Sequence, residues 1–441
     1  MARRFGTDGI RGEVGSEITV DLGLALGRAV GHRFGSAGRS VLVGRDTRRS
    51  GEMLTAALAA GLTSGGADVV DLGVVTTPCL VHASAAAVSA AIMVSASHNP
   101  APDNGLKVVV DGRKIDDDAE DELERLIDDP SQIESLGNEA LGRIRPDLGA
   151  VAAYERHLTE IAGDAFVGLR LGIDCANGSA SVIAPELFRS LGAEVTVLFD
   201  APDGSNINQA SGSTYPDRLA ETVSAAGLDV GLAFDGDADR LIAVDDLGRL
   251  VDGDTVMGIC ALARLAAGTL RNNLLVVTVM TNGGLERVVR QQGGRMVRTP
   301  VGDRHVFAAM ERDDAVLGGE QSGHVIFRDR ATTGDGILTG IELVRAMRAA
   351  ARPLSELADQ IPRLPQVMIN SAASRKDDWQ DDPDFSAAVK RATAVIGDRG
   401  RILVRPSGTE AKIRIMVEGD DADEIEGLAR ELATLAEARL N

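Results

Sequence analysis

The sequence predicts an α/β protein, with three related α/β domains followed by a smaller α+β C-terminal domain. Three observations carry that prediction. Short apolar runs alternate with Ala/Leu-rich stretches of helical period over most of the chain, the pattern of helices packed on a sheet. Four of the apolar runs empty into polar loops near residues 97, 237, 320 and 407, and one loop per domain is the simplest division. The 441 residues also exceed what one hydrophobic core usually supports. The domains then fall at 1–150, 151–252, 253–364 and 365–441.

In chain order, residues 22–34 and 53–64 read as helices, and 40–44 and 68–72 as strands. The alternation restarts with strands at 168–174 and 193–198 around a helix at 182–191, and again with strands at 274–279 and 293–298. From Leu364 the pattern changes to strand segments at 366–370 and 401–417, with helices at 385–393 and 423–438. Charged stretches at 128–146 and 374–384 carry Pro and read as connections or exposed loops.

The loops carry the chemistry. Ala91-Ile-Met-Val-Ser-Ala-Ser97-His98-Asn99-Pro100 is an apolar strand ending in small polar residues, with Pro100 stiffening the turn. A hydroxyl there, beside an imidazole, suits a carrier of a covalent group, although an ordinary strand-to-loop junction has the same wording. Val230 to Phe234 empties into Asp235-Gly236-Asp237-Ala238-Asp239-Arg240, whose three carboxylates at alternate positions can converge on one hard cation of the Mg²⁺ type, the alternative being a solvated acidic turn. The loop departs from an EF-hand: its sixth position is Arg240 instead of Gly and its twelfth is Asp246 instead of Glu. Gly319-Glu320-Gln321-Ser322-Gly323-His324 sets a carboxylate, a hydroxyl and an imidazole two residues apart, a hydrogen-bonding set for sugar hydroxyls. Arg405-Pro406-Ser407-Gly408-Thr409-Glu410 offers an arginine, two hydroxyls and turn amides, a nest suited to phosphate. Each of the last two, taken alone, also reads as a hairpin or capping turn.

Composition narrows the classes. A net charge of -20 argues against a nucleic-acid surface, and no apolar run of membrane-spanning length occurs, so the expectation is a cytoplasmic protein. Cys79, Cys175 and Cys260 are odd in number and widely spaced, which fits a reducing compartment and small buried side chains. Only five of the 46 basic residues are lysines: Lys107, Lys114, Lys376, Lys390 and Lys412. Lys107 follows the serine loop directly, and Lys can lose its proton when desolvated whereas Arg effectively cannot.

Together the four loops resemble the signature loops of the α-D-phosphohexomutases, which move a phosphoryl group between the 1 and 6 positions of a hexose phosphate. The opening Arg4-Phe5-Gly6-Thr7-Asp8-Gly9-Ile10-Arg11-Gly12, the Gly-Glu-Gln-Ser-Gly-His loop and Thr333-Gly334-Asp335-Gly336-Ile337 most resemble bacterial members that act on glucosamine phosphate. The resemblance runs from Phe5 to Val417 with the motifs in family order. It implies mixed sheets in the α/β domains and an active site in the central cleft. It implies interconversion of glucosamine 6-phosphate and glucosamine 1-phosphate through a phosphoserine enzyme and a bisphosphorylated sugar, feeding UDP-N-acetylglucosamine and cell-wall precursor synthesis. Mg²⁺, a hexose 1,6-bisphosphate activator, phosphorylation of Ser97 and a homodimer are implied as well, with a hexosamine phosphate as the small-molecule partner and neither nucleic acid nor membrane.

Carried onto this chain, the resemblance makes Ser97 the phosphoryl holder and, with Asp235, Asp237 and Asp239, a metal ligand. It assigns Arg11 and Lys107 to proton handling, with electrostatic assistance the better role for Arg11. His98 is a partner of the serine loop and His324 a substrate contact or proton carrier, or both simply support their loops. Glu320 and Ser322 grip the sugar, Arg304 contacts substrate, and Arg405, Ser407, Gly408 and Thr409 clamp the distal phosphate. Two positions depart from the family pattern: Pro300 stands where many relatives carry Lys before Val-Gly, and Ala411 where a proline commonly follows Thr-Glu. A phosphomannomutase, a phosphoglucomutase or a non-catalytic sugar-phosphate binder are the alternatives. A haloacid-dehalogenase-type phosphatase would leave Ser97 and Arg405 unexplained.

Overall fold

The computed structural model describes residues 3–6, 8–35, 39–147, 149–407 and 410–441. The chain forms two compact units, Met1–Thr278 with Val297–Asp359, and Val279–Met296 with Gln360–Asn441.

The first unit is layered α/β, and its strands recur in one design. Ala90–Val94 lies between Ser40–Arg45, its parallel neighbour, and Asp103–Val110, its antiparallel neighbour. Val230–Phe234 sits likewise between parallel Arg170–Asp174 and antiparallel Leu241–Val244. Leu317–Gly319 has Leu274–Thr278 parallel on one side and Val325–Phe327 antiparallel on the other. All three strands are buried along their whole length, which explains their unbroken apolar wording. Their C-terminal ends, where the sheet changes direction, release the Ser97, Asp235 and Glu320 loops, the usual place for a ligand site in an open α/β sheet. The sheets are therefore mixed, as the family resemblance implies.

Helices form where the sequence supplies both a face and a cap. Val20–Phe34 starts with the Thr19 hydroxyl accepting from the Leu22 amide, and Thr76 caps Thr77–Ala87 with Pro78 in its first turn. Residues 182–191 divide instead into a 3₁₀ turn, Ser179–Val182, and a helix, Ala184–Ser190. Pro185 has no amide to donate and is tolerated only in a first turn, so the helix begins beside it. Some strands were not expected, two of them in stretches read otherwise. Ile10–Glu13, in the opening motif, pairs antiparallel with Asp103–Val110, and Ile144–Pro146 adds a parallel edge to Asp68–Val74 inside a stretch expected to be a connection.

The second unit is the smaller α+β body. Gln366–Ala372, Lys412–Gly419 and Gly400–Pro406 form an antiparallel sheet with Lys412–Gly419 in the middle. Helices Pro383–Ile396 and Ala422–Arg439 close its core around Phe385, Ile413, Ile415, Ile425 and Leu432. The expected segment 401–417 falls in two strands, Gly400–Pro406 and Lys412–Gly419. Among the described residues no helix is long and apolar enough to cross a membrane.

Candidate active site

Ser97 is fully buried and its backbone is left-handed, φ 52°, which costs a non-glycine residue about 1–3 kcal/mol and persists only where surroundings enforce it. Here the enforcement is visible. The buried Arg48 guanidinium donates to the carbonyls of Ser97 (3.0 Å), Asn99 (2.8 Å), Pro100 (2.5 Å) and Asp103 (2.9 Å), and to Asp46 Oδ2 (2.9 Å). Asn208 Nδ2 donates to the Ser97 and Asn99 carbonyls, and Ser95 Oγ accepts from the Ser97 amide. The Val43–Arg48 segment therefore both pairs with a carboxylate and orders the serine loop. Asn208 carried no signal in the sequence.

The hydroxyl of Ser97 donates to Asp235 Oδ2 at 2.5 Å and lies 3.3 Å from His98 Nδ1. Asp235, Asp237 and Asp239 bring ligand-capable oxygens within 4.8 Å of one another, all buried. Left-handed Ala238 turns the loop so that the three carboxylates face one way. The loop is fitted to its neighbours by size, because a Cβ on Gly236 would come within 2.6 Å of the Ser97 carbonyl. The Asp174–Gly178 turn supports it from the other side, where the Ser179 amide donates to the Gly236 carbonyl at 2.8 Å.

Charge at this cluster is unbalanced by itself. Asp235 is pushed well above the usual carboxylate range, first by burial and then by the charges of Asp239 and Asp237. Burial also opposes ionisation of Asp239, but Lys107, His324 and Arg240 outweigh it and hold its carboxyl low. Asp237 Oδ2 is taken by Thr77 Oγ1 (2.6 Å) and Lys107 Nζ (2.7 Å). Asp237 Oδ1 and Asp239 Oδ1 are buried without a hydrogen-bond partner. Oxygen-only donors with two free buried carboxylate oxygens fit a hard divalent cation.

Basic groups ring the carboxylates. Lys107 Nζ lies 3.1 Å from Asp8 Oδ2 and 3.7 Å from Asp239 Oδ2; burial works against its charge, yet Asp237, Asp8 and Asp239 raise its pKa, so Nζ keeps its proton. Arg11 pairs with Asp8, and Asp8 also receives Lys114. His98 is lowered to about 4 by burial and by Arg240 and Arg11, which leaves the ring neutral near pH 7. His324 is buried, with Nδ1 3.7 Å from Asp239 and Nε2 accepting from the Gly334 amide at 3.1 Å. Arg11, His98, Arg240, Asp239, Glu320 and His324 line a common cavity of about 360 Å³.

Glu320 reaches that cavity and accepts from the Gly302 amide at 3.0 Å, while Ser322 is exposed at the tip of its loop. Arg304 is committed elsewhere: its guanidinium pairs with Asp117 and Glu120, and it lines a neighbouring cavity with Arg3, Phe5 and His305. In the second unit Arg405 ends a strand with Nη1 3.4 Å from Met280 Sδ, and Ser407 is buried with its carbonyl accepting from Lys376. Gly408 and Thr409 lie outside the described residues. Cys79, Cys175 and Cys260 are free and buried. Asp8, Thr77, Lys114 and Asp303 were not singled out in the sequence; Asp8 lay inside the opening motif and Lys114 among the few lysines, which were the available signals.

Comparison with known proteins agrees with this arrangement. Phosphoglucomutase/phosphomannomutase domain models match in order: alpha/beta/alpha domain I at residues 2–134, domain II at 152–248, domain III at 252–364 and the C-terminal domain at 368–435. The phosphoglucosamine mutase of Symbiobacterium thermophilum is 49% identical over 100% of both chains. The chain belongs to the phosphoglucomutase/phosphomannomutase family. It is an α-D-phosphohexomutase, and within that family it is most like phosphoglucosamine mutase. A Burkholderia thailandensis phosphoglucomutase/phosphomannomutase family protein superposes on this mutase with a TM-score of 0.85 at 28% identity, covering 100% of this chain and 99% of that one. Aspergillus fumigatus N-acetylphosphoglucosamine mutase, solved with GlcNAc-6P and magnesium, shares the fold at a TM-score of 0.70 and 18% identity, with 99% and 96% of the two chains covered.

Proposed function

We propose that this mutase interconverts glucosamine 6-phosphate and glucosamine 1-phosphate, with phosphorylated Ser97 as donor and acceptor and Mg²⁺ at the three aspartates. The observation that carries the mechanism is the Ser97 hydroxyl bonded at 2.5 Å to one member of a buried three-carboxylate cluster. The choice of sugar leans on the 49% identity to a phosphoglucosamine mutase. In the first half-reaction the phosphorus leaves Ser97 Oγ for the sugar O1, and the proton of that hydroxyl must go to a base. In the second, the 6-phosphoryl of the bisphosphate returns to Oγ and O6 takes a proton.

Mg²⁺ held by Asp235, Asp237, Asp239 and a phosphoserine oxygen would neutralise charge on the transferring group. The other tasks fall to the chain. Protonated Lys107, among Asp8, Asp237 and Asp239, would serve as an acid, and Arg11 as fixed positive charge. Ser97 has no exposed surface, so a phosphoryl group on Oγ requires neighbouring groups to give way. Glu320 accepts from sugar hydroxyls, and Arg405, Ser407, Gly408 and Thr409 take the distal phosphate.

Two measurements test this reading. Rates for glucosamine, glucose and mannose 6-phosphates, with Mg²⁺ and a trace of hexose bisphosphate, should favour glucosamine by a hundredfold or more, about 2.7 kcal/mol of transition-state preference. A lead for glucose or mannose phosphate would move the chain to another branch of the family. Calorimetric Mg²⁺ titration of Asp239→Asn should show affinity reduced by more than the roughly 10- to 100-fold typical of losing an outer partner of a metal ligand. Unchanged affinity would place the cation elsewhere.

A further inference from the structure

Lys114 is a lysine that the mechanism above does not use. It lies on the short strand Arg113–Lys114, and its side chain is 22% exposed. Its ammonium pairs with two carboxylates from distant segments: Asp8 of the opening loop and Asp303 at the start of helix Asp303–Arg312. Both carboxylates lead on to the site. Asp8 holds Arg11 and Lys107. Asp303 Oδ2 is 3.5 Å from His324 Nε2, while its Oδ1 accepts from the Arg304 amide at 2.8 Å.

These contacts close a ring. Asp239, Lys107, Asp8, Lys114, Asp303 and His324 follow one another, acid alternating with base, and His324 returns to Asp239 at 3.7 Å. Lys114 stands opposite Asp239 in this order of contacts. Asp303 lines the site cavity, whereas Lys114 lines the neighbouring one, of about 330 Å³, together with Asp303, Lys107, Val81, Met93, Val109 and Phe307. Lys114 meets the site cavity through its pair with Asp303.

We propose that Lys114 is a positioning residue: by tying Asp303 to Asp8 it sets His324 and the Val301–Asp303 turn for the sugar. The inference rests on the mutase reading of the site. Without the ammonium, Asp8 and Asp303 face one another as like charges and separate. Movement of Asp303 disturbs two sugar-side groups together, because Asp303 Oδ2 lies 3.5 Å from His324 Nε2 and the adjoining Gly302 amide donates to Glu320.

The test compares steady-state kinetics of the phosphorylated, Mg²⁺-saturated wild type with those of K114M, K114R, D303N and K114M/D303N. K114M is expected to raise KM for the sugar phosphate about tenfold with a smaller fall in kcat, and K114R to recover most of the loss. The double variant should exceed K114M in kcat/KM, because no uncompensated acid remains. D303N cuts the same link from its other end and should show the same KM rise, which keeps the test open should K114M not fold. A lower melting temperature with unchanged KM would mean a purely structural role and overturn the proposal, as would additive losses in the double variant. If the wild type turns over a different hexose phosphate, the variants are compared on that sugar, so the two readings fail separately.

Discussion

Ser97→Ala is expected to lower mutase turnover by about four powers of ten or more while sugar-phosphate affinity stays within about threefold of wild type. The asymmetry follows from geometry. Ser97 Oγ is engaged with Asp235 and adjoins His98, whereas the groups that line the cavity, including Arg11, Arg240, Glu320 and His324, remain in place when it is removed. Thr77 Oγ1 is a second hydroxyl on the cluster, so the outcome is informative. Thr77 opens a helix, and its hydroxyl is spent on an Asp237 oxygen that Lys107 also uses, which leaves it poorly placed to exchange a phosphoryl group. Initial rates, calorimetric binding and the intact mass of the variant after incubation with hexose bisphosphate would decide. Activity within tenfold of wild type, or a phosphoryl group retained on the variant, would refute the phosphoserine mechanism.

Arg48→Met should cost about 3–5 kcal/mol of local stability and most of the activity, although Arg48 touches no substrate-facing group. Its guanidinium and the Asp46 carboxylate have fully buried side chains. Burial already pushes Asp46 up despite Arg48, so removing the arginine leaves an acid without its counter-charge. The Pro100 and Asp103 carbonyls lose this donor, while Asn208 still serves those of Ser97 and Asn99. With that lattice gone, the left-handed backbone of Ser97 has less to hold it and relaxes away from Asp235. Amide hydrogen exchange across residues 95–104 reads the loop directly and avoids assuming one transition for a chain of two units. Arg48→Lys should recover only part of the loss, since one ammonium cannot reach four carbonyls arranged around a planar fork. Wild-type exchange in Arg48→Met would show that the loop needs no such support.

How much of the site was legible depended on how the chemistry is encoded. Ser97 and the three aspartates were readable because a buried strand must be apolar, so polar residues crowded at its end stand out. Lys107 stood out because lysine is scarce here. Arg48 was not singled out by itself in the sequence: it follows the expected strand at 40–44, and the structure has it both pairing with Asp46 and holding the serine loop. Asn208 and Asp303 were opaque, since their partners are distant in sequence and no local period announces them. Arg304 shows the reverse limit. Its motif position suggested a substrate contact, and Asp117 and Glu120, far away in the chain, claim its guanidinium.

By itself the sequence determined the α/β alternation, the four loops at strand ends and the polar residue types gathered in them, because periodicity and loop chemistry are local properties. Only the tertiary structure decided that the Ser97 hydroxyl meets Asp235, that Lys107 keeps its proton among three acids, and that Asp8 and Asp303 share Lys114. Charge pairing acts through space over a few ångströms and is blind to the hundreds of residues between the partners.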